Sequence, residues 1–327
     1  MAYELVPNPG RLVRRVGADE ELLRAFGVRA GRVTPLDADL ASTREFSHDG
    51  SGGLELLLLF FARPYRGQLF ATTCSPHSRG ERGYVDLLNP AAVDWFVENT
   101  HERYKERVGD HFGATIKAFF VDEPANYQGF PYTPALFREF EERKGYDLRD
   151  RLYQLVLPVG DFGRVRHDYR EVVTSLYVAA FRKLAGWCEA NGLALTGHLL
   201  QEEALHKVPE NHGDVYGPLA QMGVPGVDYL SDVVGWKRKV PTCESPTFAL
   251  KLASSVAHAH RREGSLVEIF GGCGWGTAPA KLKRVAWWVQ VLGVSKINVH
   301  AAFQSVLGLR KRDFPASHFV QEPWWEV

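Results

Sequence analysis

The chain has 327 residues, 45% of them hydrophobic, and its 39 basic side chains balance its 39 acidic ones. A chain of this size and composition buries a sizeable core, which excludes disorder as a whole. Because the net charge is zero, no overall field recruits nucleic acid or an anionic membrane, and we expect a small neutral ligand instead.

The cysteines and the N-terminus exclude several further classes. The four cysteines, Cys74, Cys188, Cys243 and Cys273, lie far apart without CxxC spacing, so we predict free thiols rather than a zinc site or disulfide framework. The opening "MAYELVPNPGRLVRR" lacks the apolar stretch of a signal peptide, and no apolar run approaches a membrane span. We therefore predict a cytoplasmic protein without membrane partners.

The sequence pattern changes between the N-terminal quarter of the chain and the rest. Residues 1–82 carry turn clusters such as "PNPG" and "HDGSGG" around the strand-like run "LELLLLFFARP", which predicts a β-rich segment. Residues 83–327 alternate short apolar runs with long amphipathic ones, which is typical of a βα repeat and a parallel sheet.

The βα repeat predicts helices and about five parallel strands. Helices are predicted for "NPAAVDWFVENTHERYKERVG", residues 133–156 and 165–191, "SPTFALKLASSVAHAHRREG" and "PAKLKRVAWWVQVLGV". Strands are predicted for "IKAFFV", "NGLALTG", "GVDYLS", "SLVEIF" and "KINVH". The strands are too few for a closed eight-stranded barrel, and no GxGxxG fingerprint indicates a dinucleotide fold.

Four of these strands carry polar side chains at or near their exits. These side chains are Asp122 and Glu123; His198 with Glu202 and Glu203; Glu268; and Asn298 with His300. Because the carboxyl ends of parallel strands meet at one edge of a sheet, we expect these groups to form a polar pocket in an apolar wall.

Glu123 and Glu268 are the strongest catalytic candidates. Two carboxyl groups in different environments can be held in different protonation states, as glycoside hydrolysis requires. Glu123 and its neighbour Asp122 could instead cap a following helix, and Glu268 could pair with a Lys or Arg. The apolar neighbours of Glu268, "LVEIF", favour a functional role for it.

The remaining candidates are predicted to bind substrate. His198 could donate to a sugar hydroxyl or be a satisfied structural histidine, while Glu202 and Glu203 could line the site or begin a helix. The loop "GGCGWGTAP" offers Trp275 as a stacking platform or is a flexible turn. Asn298 and His300 complete the predicted substrate-binding set.

These segments in order resemble the catalytic barrel of bacterial glycoside hydrolases similar to family 106, the α-L-rhamnosidases. The resemblance runs through "GYVDLLNPAAVDWFVENTHERYKERVG", "FFVDEP", "LALTGHLLQEEAL", "GVDYL", "EIFGGCGWG", "NVHAAFQS" and "SHFVQEPWW", about three quarters of the chain. It implies a (β/α)8 barrel with a general acid after the fourth strand and its partner after the seventh. Those positions match Glu123 and Glu268.

The resemblance also implies that three strands of the barrel are absent from this chain. We therefore expect a partial (β/α)8, TIM-like barrel of about five to six βα units after an N-terminal excursion. A sheet left open exposes an unpaired edge. We predict that the run from Leu54 to Pro64 covers this edge, or that self-association or a second chain does.

Three functions are consistent with the sequence. The leading hypothesis is a glycoside hydrolase acting on an oligosaccharide or glycoside. We predict no cofactor for it, with a structural or substrate-site calcium ion as the alternative. The second is a non-catalytic sugar-binding remnant of such a barrel. The third is a metal-dependent hydrolase using Asp122, His198 and His300, which is disfavoured because the sequence has no compact ligand motif such as HExxH.

Overall fold

The computed structural model describes residues 1–36, 44–63, 84–126, 129–231, 233–235, 245–300 and 318. The chain divides into two compact units. The first unit comprises Met1–Arg66, Arg82–Asn89 and Tyr127–Leu176, and the second comprises Gly67–Glu81, Pro90–Asn126 and Tyr177–Val327. The predicted boundary between residues 82 and 83 lies outside the described residues and stays a prediction.

The strands of the first unit form antiparallel sheets. They are β1 (Ala2–Pro7), β2 (Arg11–Arg15), β3 (Glu21–Arg29), β4 (Arg32–Pro35), β5 (Glu45–Asp49) and β6 (Leu56–Ala62). One sheet has the order β1-β6-β3-β4, and β2 pairs with β5. The β-rich segment predicted for the N-terminus is therefore present over the described residues.

The central strand β6 explains the apolar run in the sequence. Its five consecutive residues from Leu57 to Phe61 are fully buried, because β6 pairs with β1 and β3 and is covered on both faces. The described part of residues 54–64 does not extend the parallel sheet, and covering of that sheet by packing stays a prediction. The backbone groups of this segment are paired within the antiparallel sheet.

The first unit also contains helices from the middle of the chain. They are α3 (Leu136–Lys144), α4 (Tyr153–Val156) and the beginning of α5 (Phe162–Ala190), a helix that continues into the second unit. The helical stretch predicted for residues 133–156 is interrupted because Gly145, at φ 76°, ends α3 in the left-handed conformation. The helix predicted for residues 165–191 corresponds to α5.

The second unit contains the predicted βα repeat. Its further helices are α1 (Pro90–Phe96), α2 (Glu102–Val108), α6 (Val208–Asn211), α7 (Tyr216–Gln221), α8 (Pro246–Ala259) and α9 (Pro279–Val291). A π-helical turn, Val97–His101, joins α1 to α2. None of the helices in the described ranges is both long enough and apolar enough to span a bilayer.

The second unit has five parallel strands in the described residues, as predicted. They are β7 (Ala118–Val121), β8 (Ala194–Gly197), β9 (Gly226–Tyr229), β10 (Leu266–Ile269) and β11 (Lys296–Val299). β7 pairs with β8, and β10 lies between β9 and β11. A single parallel bridge from Thr196 to Val224 links β8 to the approach of β9.

The two faces of the β9-β10-β11 sheet differ in polarity. Alternate residues of β9 and β10, among them Val227 and Val267, pack into the core with α8 and α9. The intervening residues Asp228, Glu268 and Asn298 stand opposite one another in register. Because side chains alternate across a strand, these three polar groups share the face away from the core.

Two of the four cysteines lie in the described residues. Cys188 is a free thiol, as predicted, and is buried, while Cys273 lies in the loop after β10. Cys74 and Cys243 lie outside the described residues.

Candidate active site

The first carboxyl groups of the site follow β7. The strand ends at Val121, Asp122 is exposed, and Glu123 is half-buried with a backbone φ of 50°. Residues 124–126 are not helical, so the described chain gives no support for Asp122 or Glu123 as a helix cap. The acids instead occupy a sharp loop at the carboxyl end of a strand, where chemistry is placed in parallel folds.

A glycine brings the ends of β7 and β8 together. Gly197, the last residue of β8, has φ 122°, and a Cβ atom there would lie 2.0 Å from the carbonyl oxygen of Val121. The next residue, His198, donates its backbone N–H to that same carbonyl at 3.0 Å. Only glycine allows this approach, which places the His198 side chain beside the loop that carries Glu123.

His198 lies at the centre of the site. Its side chain is 2% exposed, and its Nε2 lies 3.2 Å from Oε2 of Glu268 and 3.4 Å from Oδ1 of Asp122. The ring of Phe120 in β7 packs edge-to-face against the imidazole of His198, with ring centroids 5.5 Å apart. The buried histidine therefore connects the loop after β7 with the middle of β10.

Glu268 is held by two donors. Its side chain is 13% exposed, and Oε2 is hydrogen-bonded to Nε2 of His198 and accepts from Nδ2 of Asn298, both at 3.2 Å. The alternative of an ion pair with Lys or Arg is not found among the described residues. Because Oε2 is used in this way, Oε1 is the oxygen left to meet a substrate or water.

Glu202 and Asp228 form the buried back of the site. Oε1 of Glu202 accepts the backbone N–H of Asp228 at 3.0 Å. Residues 201–203 form a turn, so Glu202 and Glu203 do not begin a helix. Within the described residues, Oε2 of Glu202 and Oδ1 of Asp228 are buried without a hydrogen-bond partner. Buried carboxyl oxygens without donors favour the protonated form.

The electrostatics of His198 and Glu268 are coupled. Burial alone lowers the pKa of His198, but its hydrogen bond to the carboxylate of Glu268 and the charges of Asp228, Glu202 and Glu268 raise it to about 10. Burial alone raises the pKa of Glu268, but His198, aided by His300 and Asn298, outweighs burial and leaves it below its usual value. At neutral pH the pair is imidazolium and carboxylate.

The other acids shift in the opposite direction. Burial, together with the charges of Asp122, Glu268 and Glu203, raises the pKa of Glu123 to about 7 despite the opposing charge of His198. Burial likewise raises the pKa of Asp228 to about 7 and that of Glu202 well above its usual value. Glu123 is therefore a proton donor near neutral pH, while Glu268 stays ionised.

The remaining predicted residues lie in the loops after β8, β10 and β11. Glu203 adds negative charge near Glu123, and its carbonyl accepts from the backbone N–H of Ser245 at 2.7 Å. His300 follows β11 and donates its backbone N–H to Ile269. Trp275 is 52% exposed in the loop after β10, and its use as a stacking platform stays a prediction.

Two members of the site were missed from the sequence. Asp228 interrupts the apolar strand "GVDYL", and a charge in the middle of an apolar run is the signal that could have identified it. Phe120 is 40% exposed although it lies in a strand of bulky apolar residues. Nothing in the run "KAFFV" distinguishes the exposed Phe120 from its packed neighbour Phe119.

One group of possible metal ligands lies elsewhere along the chain. Among the described residues, the side chains whose ligand atoms come within 4.8 Å of one another in a set of three or more are His167, Asp168 and Glu171 on α5. Asp168 already accepts from Tyr146 and contacts Lys144 and Arg164. Asp122, His198 and His300 do not form such a set.

Similarity to known proteins is confined to structure. No protein-family model and no curated protein matches this sequence. A rhamnosidase from Novosphingobium sp. PP1Y is similar in structure, with a TM-score of 0.55 and 19% sequence identity over 85% of this chain. The match spans 26% of that rhamnosidase. At this identity the similarity shows a glycosidase-like fold, and this chain corresponds to about a quarter of its neighbour.

Proposed function

We propose that this chain is a glycoside hydrolase domain in which Glu123 is the general acid and Glu268 is its ionised partner. The observation that carries the proposal is the buried His198, which contacts Glu268 at 3.2 Å and is hydrogen-bonded to the loop of Glu123; the opposite directions in which the pKa values of the two acids shift support it. Paired acids with separated pKa values are the requirement for cleaving a glycosidic bond near neutral pH.

The residues supply each proton and electron pair of the reaction. The protonated carboxyl of Glu123 gives its proton to the glycosidic oxygen as the bond between that oxygen and the anomeric carbon breaks. In an inverting reaction Glu268 takes a proton from the water that attacks the anomeric carbon. In a retaining reaction Glu268 attacks that carbon itself, and Glu123, now a carboxylate, then takes a proton from the water that displaces Glu268 from the sugar. His198 and Asn298 orient Glu268 through Oε2 in both cases.

The barrel architecture and the substrate class belong to the same proposal. We propose that β7–β11 are part of a TIM-like (β/α)8 barrel related to family 106 and that the substrate is an α-L-rhamnoside or a similar glycoside. The order of the sequence motifs and the structural similarity to a rhamnosidase support this. Trp275, Glu203 and His300 would contact the sugar, and completion of the sheet by self-association or a second chain stays part of the proposal.

A non-catalytic sugar-binding domain is the second candidate. It is favoured by one observation, that Oε2 of Glu268 is held by His198 and Asn298, an arrangement that also suits a carboxylate that accepts sugar hydroxyls. A domain that uses the pocket in this way binds sugar but releases no product. Incubation with rhamnosides and detection of free sugar separates the two functions, because binding without release at any pH leaves only the second.

The role of Glu123 is tested with two classes of substrate. Glu123→Gln removes the proton donor, so hydrolysis of alkyl glycosides, whose leaving oxygen needs protonation, should fall by about 10³-fold while nitrophenyl glycosides retain most activity. Glu210→Gln is the matched control, since Glu210 lies on α6 and pairs with Lys207 at 3.0 Å. Equal losses on both substrate classes would show that Glu123 is not the general acid.

A further inference from the structure

The backbone of Glu123 adopts a conformation that its side chain disfavours. Its φ of 50° lies in the left-handed region, which residues with a Cβ atom rarely occupy. Such a conformation persists only where the surrounding contacts impose it, and it is concentrated at functional sites. The loop after β7 must therefore be held by other residues of the second unit.

Two side chains fasten this loop just beyond Glu123. The hydroxyl of Tyr177 on α5 donates to the carbonyl oxygen of Pro124 at 2.5 Å. Two groups of Asn126, its backbone N–H and its Nδ2, donate to the carbonyl oxygen of Asn211 at 2.9 Å and 3.0 Å. Both contacts lie within three residues of Glu123 on its C-terminal side.

The loop is also fastened on the N-terminal side of Glu123. The carbonyl of Val121 accepts the backbone N–H of His198 at 3.0 Å. Asn211 ties the two sides together, because its Nδ2 donates to the carbonyl of Leu200 at 3.3 Å, two residues beyond His198. The loop of Glu123 and the loop of His198 are therefore parts of one hydrogen-bonded frame.

Burial makes this frame rigid. Tyr177 is fully buried, and its ring lies against that of His212, whose side chain is also fully buried. A movement of the loop would break the hydrogen bond from the buried hydroxyl to the Pro124 carbonyl, and breaking a buried hydrogen bond is costly. Tyr177 therefore resists any shift of Pro124 and of the residue before it.

We propose that Tyr177 and Asn126 are positioning residues that hold Glu123 in the strained conformation from which it protonates the leaving group. The inference rests on the proposed function of Glu123 as general acid. Neither residue touches the reacting atoms. Their contribution is the placement of the carboxyl group, because a displacement of about 1 Å at a proton donor costs up to about 10²-fold in rate.

The test compares two tyrosines of α5 that make the same kind of bond. Tyr169 is buried and donates to the carbonyl of Pro131 at 2.6 Å, so Tyr169→Phe removes a matched hydrogen bond without touching the loop of Glu123. Tyr177→Phe should lower turnover of alkyl glycosides about tenfold and that of nitrophenyl glycosides less than about twofold. Tyr169→Phe should leave the ratio of the two rates unchanged.

A second variant and a second measurement keep the test decisive. Asn126→Ser removes one donor to Asn211 and should also change the ratio of alkyl to nitrophenyl glycoside turnover. This variant replaces Tyr177→Phe if the latter does not fold. The titration of the ¹³C-labelled Glu123 carboxyl gives a readout that needs no activity. It depends on the positions of His198, Asp122, Glu203 and Glu268, so Tyr177→Phe should shift it and Tyr169→Phe should not.

The outcomes separate the inference from the proposed function. If wild-type protein hydrolyses no glycoside but Tyr177→Phe shifts the Glu123 titration, the proposed function fails and the frame around Glu123 stands. If Tyr177→Phe matches Tyr169→Phe in both the rate ratio and the titration, Tyr177 only fills space and the inference is overturned.

Discussion

The two units use their acidic side chains in opposite ways. In the first unit Arg14 contacts Glu4 at 2.9 Å and Glu20 at 3.2 Å, and Arg63 approaches the same two acids. In the second unit the positive charge that acts on the acids comes mainly from His198, and these acids are Asp122, Glu123, Glu202, Asp228 and Glu268.

The first unit therefore has ion pairs with a permanently charged arginine, whereas the second unit has acids grouped around a histidine that can titrate. An arginine stays charged at any ordinary pH, so Arg14 gives Glu4 and Glu20 a positive partner that does not change with pH. In the second unit, His198 lowers the pKa of Glu268, which it contacts directly, while burial raises the pKa values of Glu123 and Asp228 despite the charge of His198. The second arrangement costs stability, and such arrangements are typical of sites where protons move.

The largest loss of turnover is expected from substitution of Glu268, the acid held by His198 and Asn298. Glu268→Gln removes the carboxylate that we propose activates water or attacks the sugar, so turnover should fall by about 10³-fold on alkyl and aryl substrates alike. Glu20→Gln in the first unit is the matched control and should leave turnover unchanged. Comparable losses from both variants would erase the distinction between the two groups of acids.

Removal of the shared positive charge should give the next largest effect. In His198→Asn the pKa of Glu268 rises because the imidazolium no longer favours its carboxylate, so the acidic limb of the pH–rate profile should move to higher pH. Turnover at pH 7 should fall by about 10²-fold. Arg14→Met should lower stability but leave the profile in place, and an unshifted profile in His198→Asn would contradict our assignment.

The pH dependence of stability should reveal the acids grouped around His198. The pKa of Asp228 is about 7 in the folded protein against 3.8 unfolded, and that of His198 is about 10 against 6.5. Because both are raised, their stabilising contributions are complete below the unfolded values and are lost as pH rises through 7 and then 10. The free energy of unfolding should fall by at least about 2 kcal/mol between pH 5 and 9.

Urea denaturation at each pH measures this fall, and a variant identifies its source. Asp228→Asn cannot ionise, so its free energy of unfolding should depend less on pH between 5 and 8 than that of wild type. A wild-type stability that increases over this range would mean that the acids of the second unit are stabilised as carboxylates.

The smallest expected effect concerns the strained backbone. Glu123→Gly relieves the positive φ and should raise the free energy of unfolding by roughly 1 kcal/mol at pH 5, where Glu123 is protonated. Glu203 has no positive φ among the described residues, so Glu203→Gly should lower stability instead. If both glycine variants destabilise the protein equally, the loop after β7 stores no strain.

Much of this arrangement could be predicted from local sequence. The alternation of apolar and amphipathic runs predicted the five parallel strands and the long helices, and the polar residues after "FFV" and "LALTG" indicated the strand ends. These features depend on residues adjacent in the chain, which is why pattern alone reveals them.

Features that depend on pairing between distant strands could not be predicted. The alignment of Asp228 with Glu268 follows from the register of β9 and β10, and a shift of one residue would turn Asp228 into the core. The contact of His198 with Glu268 joins residues 70 positions apart. Likewise, the pairing of β6 with β1 and β3 could not be deduced from its uniformly apolar sequence.

Titration of the two carboxyl groups in the wild-type protein tests most directly whether the pKa values of Glu123 and Glu268 are separated. With ¹³C-labelled glutamate, and with Glu123→Gln and Glu268→Gln to assign the signals, each pKa can be measured separately by NMR. We expect Glu123 to titrate near pH 7 and Glu268 below 4.5. Titration of both groups together near 4.5 would contradict this expectation, because neither acid would then be distinguished as proton donor.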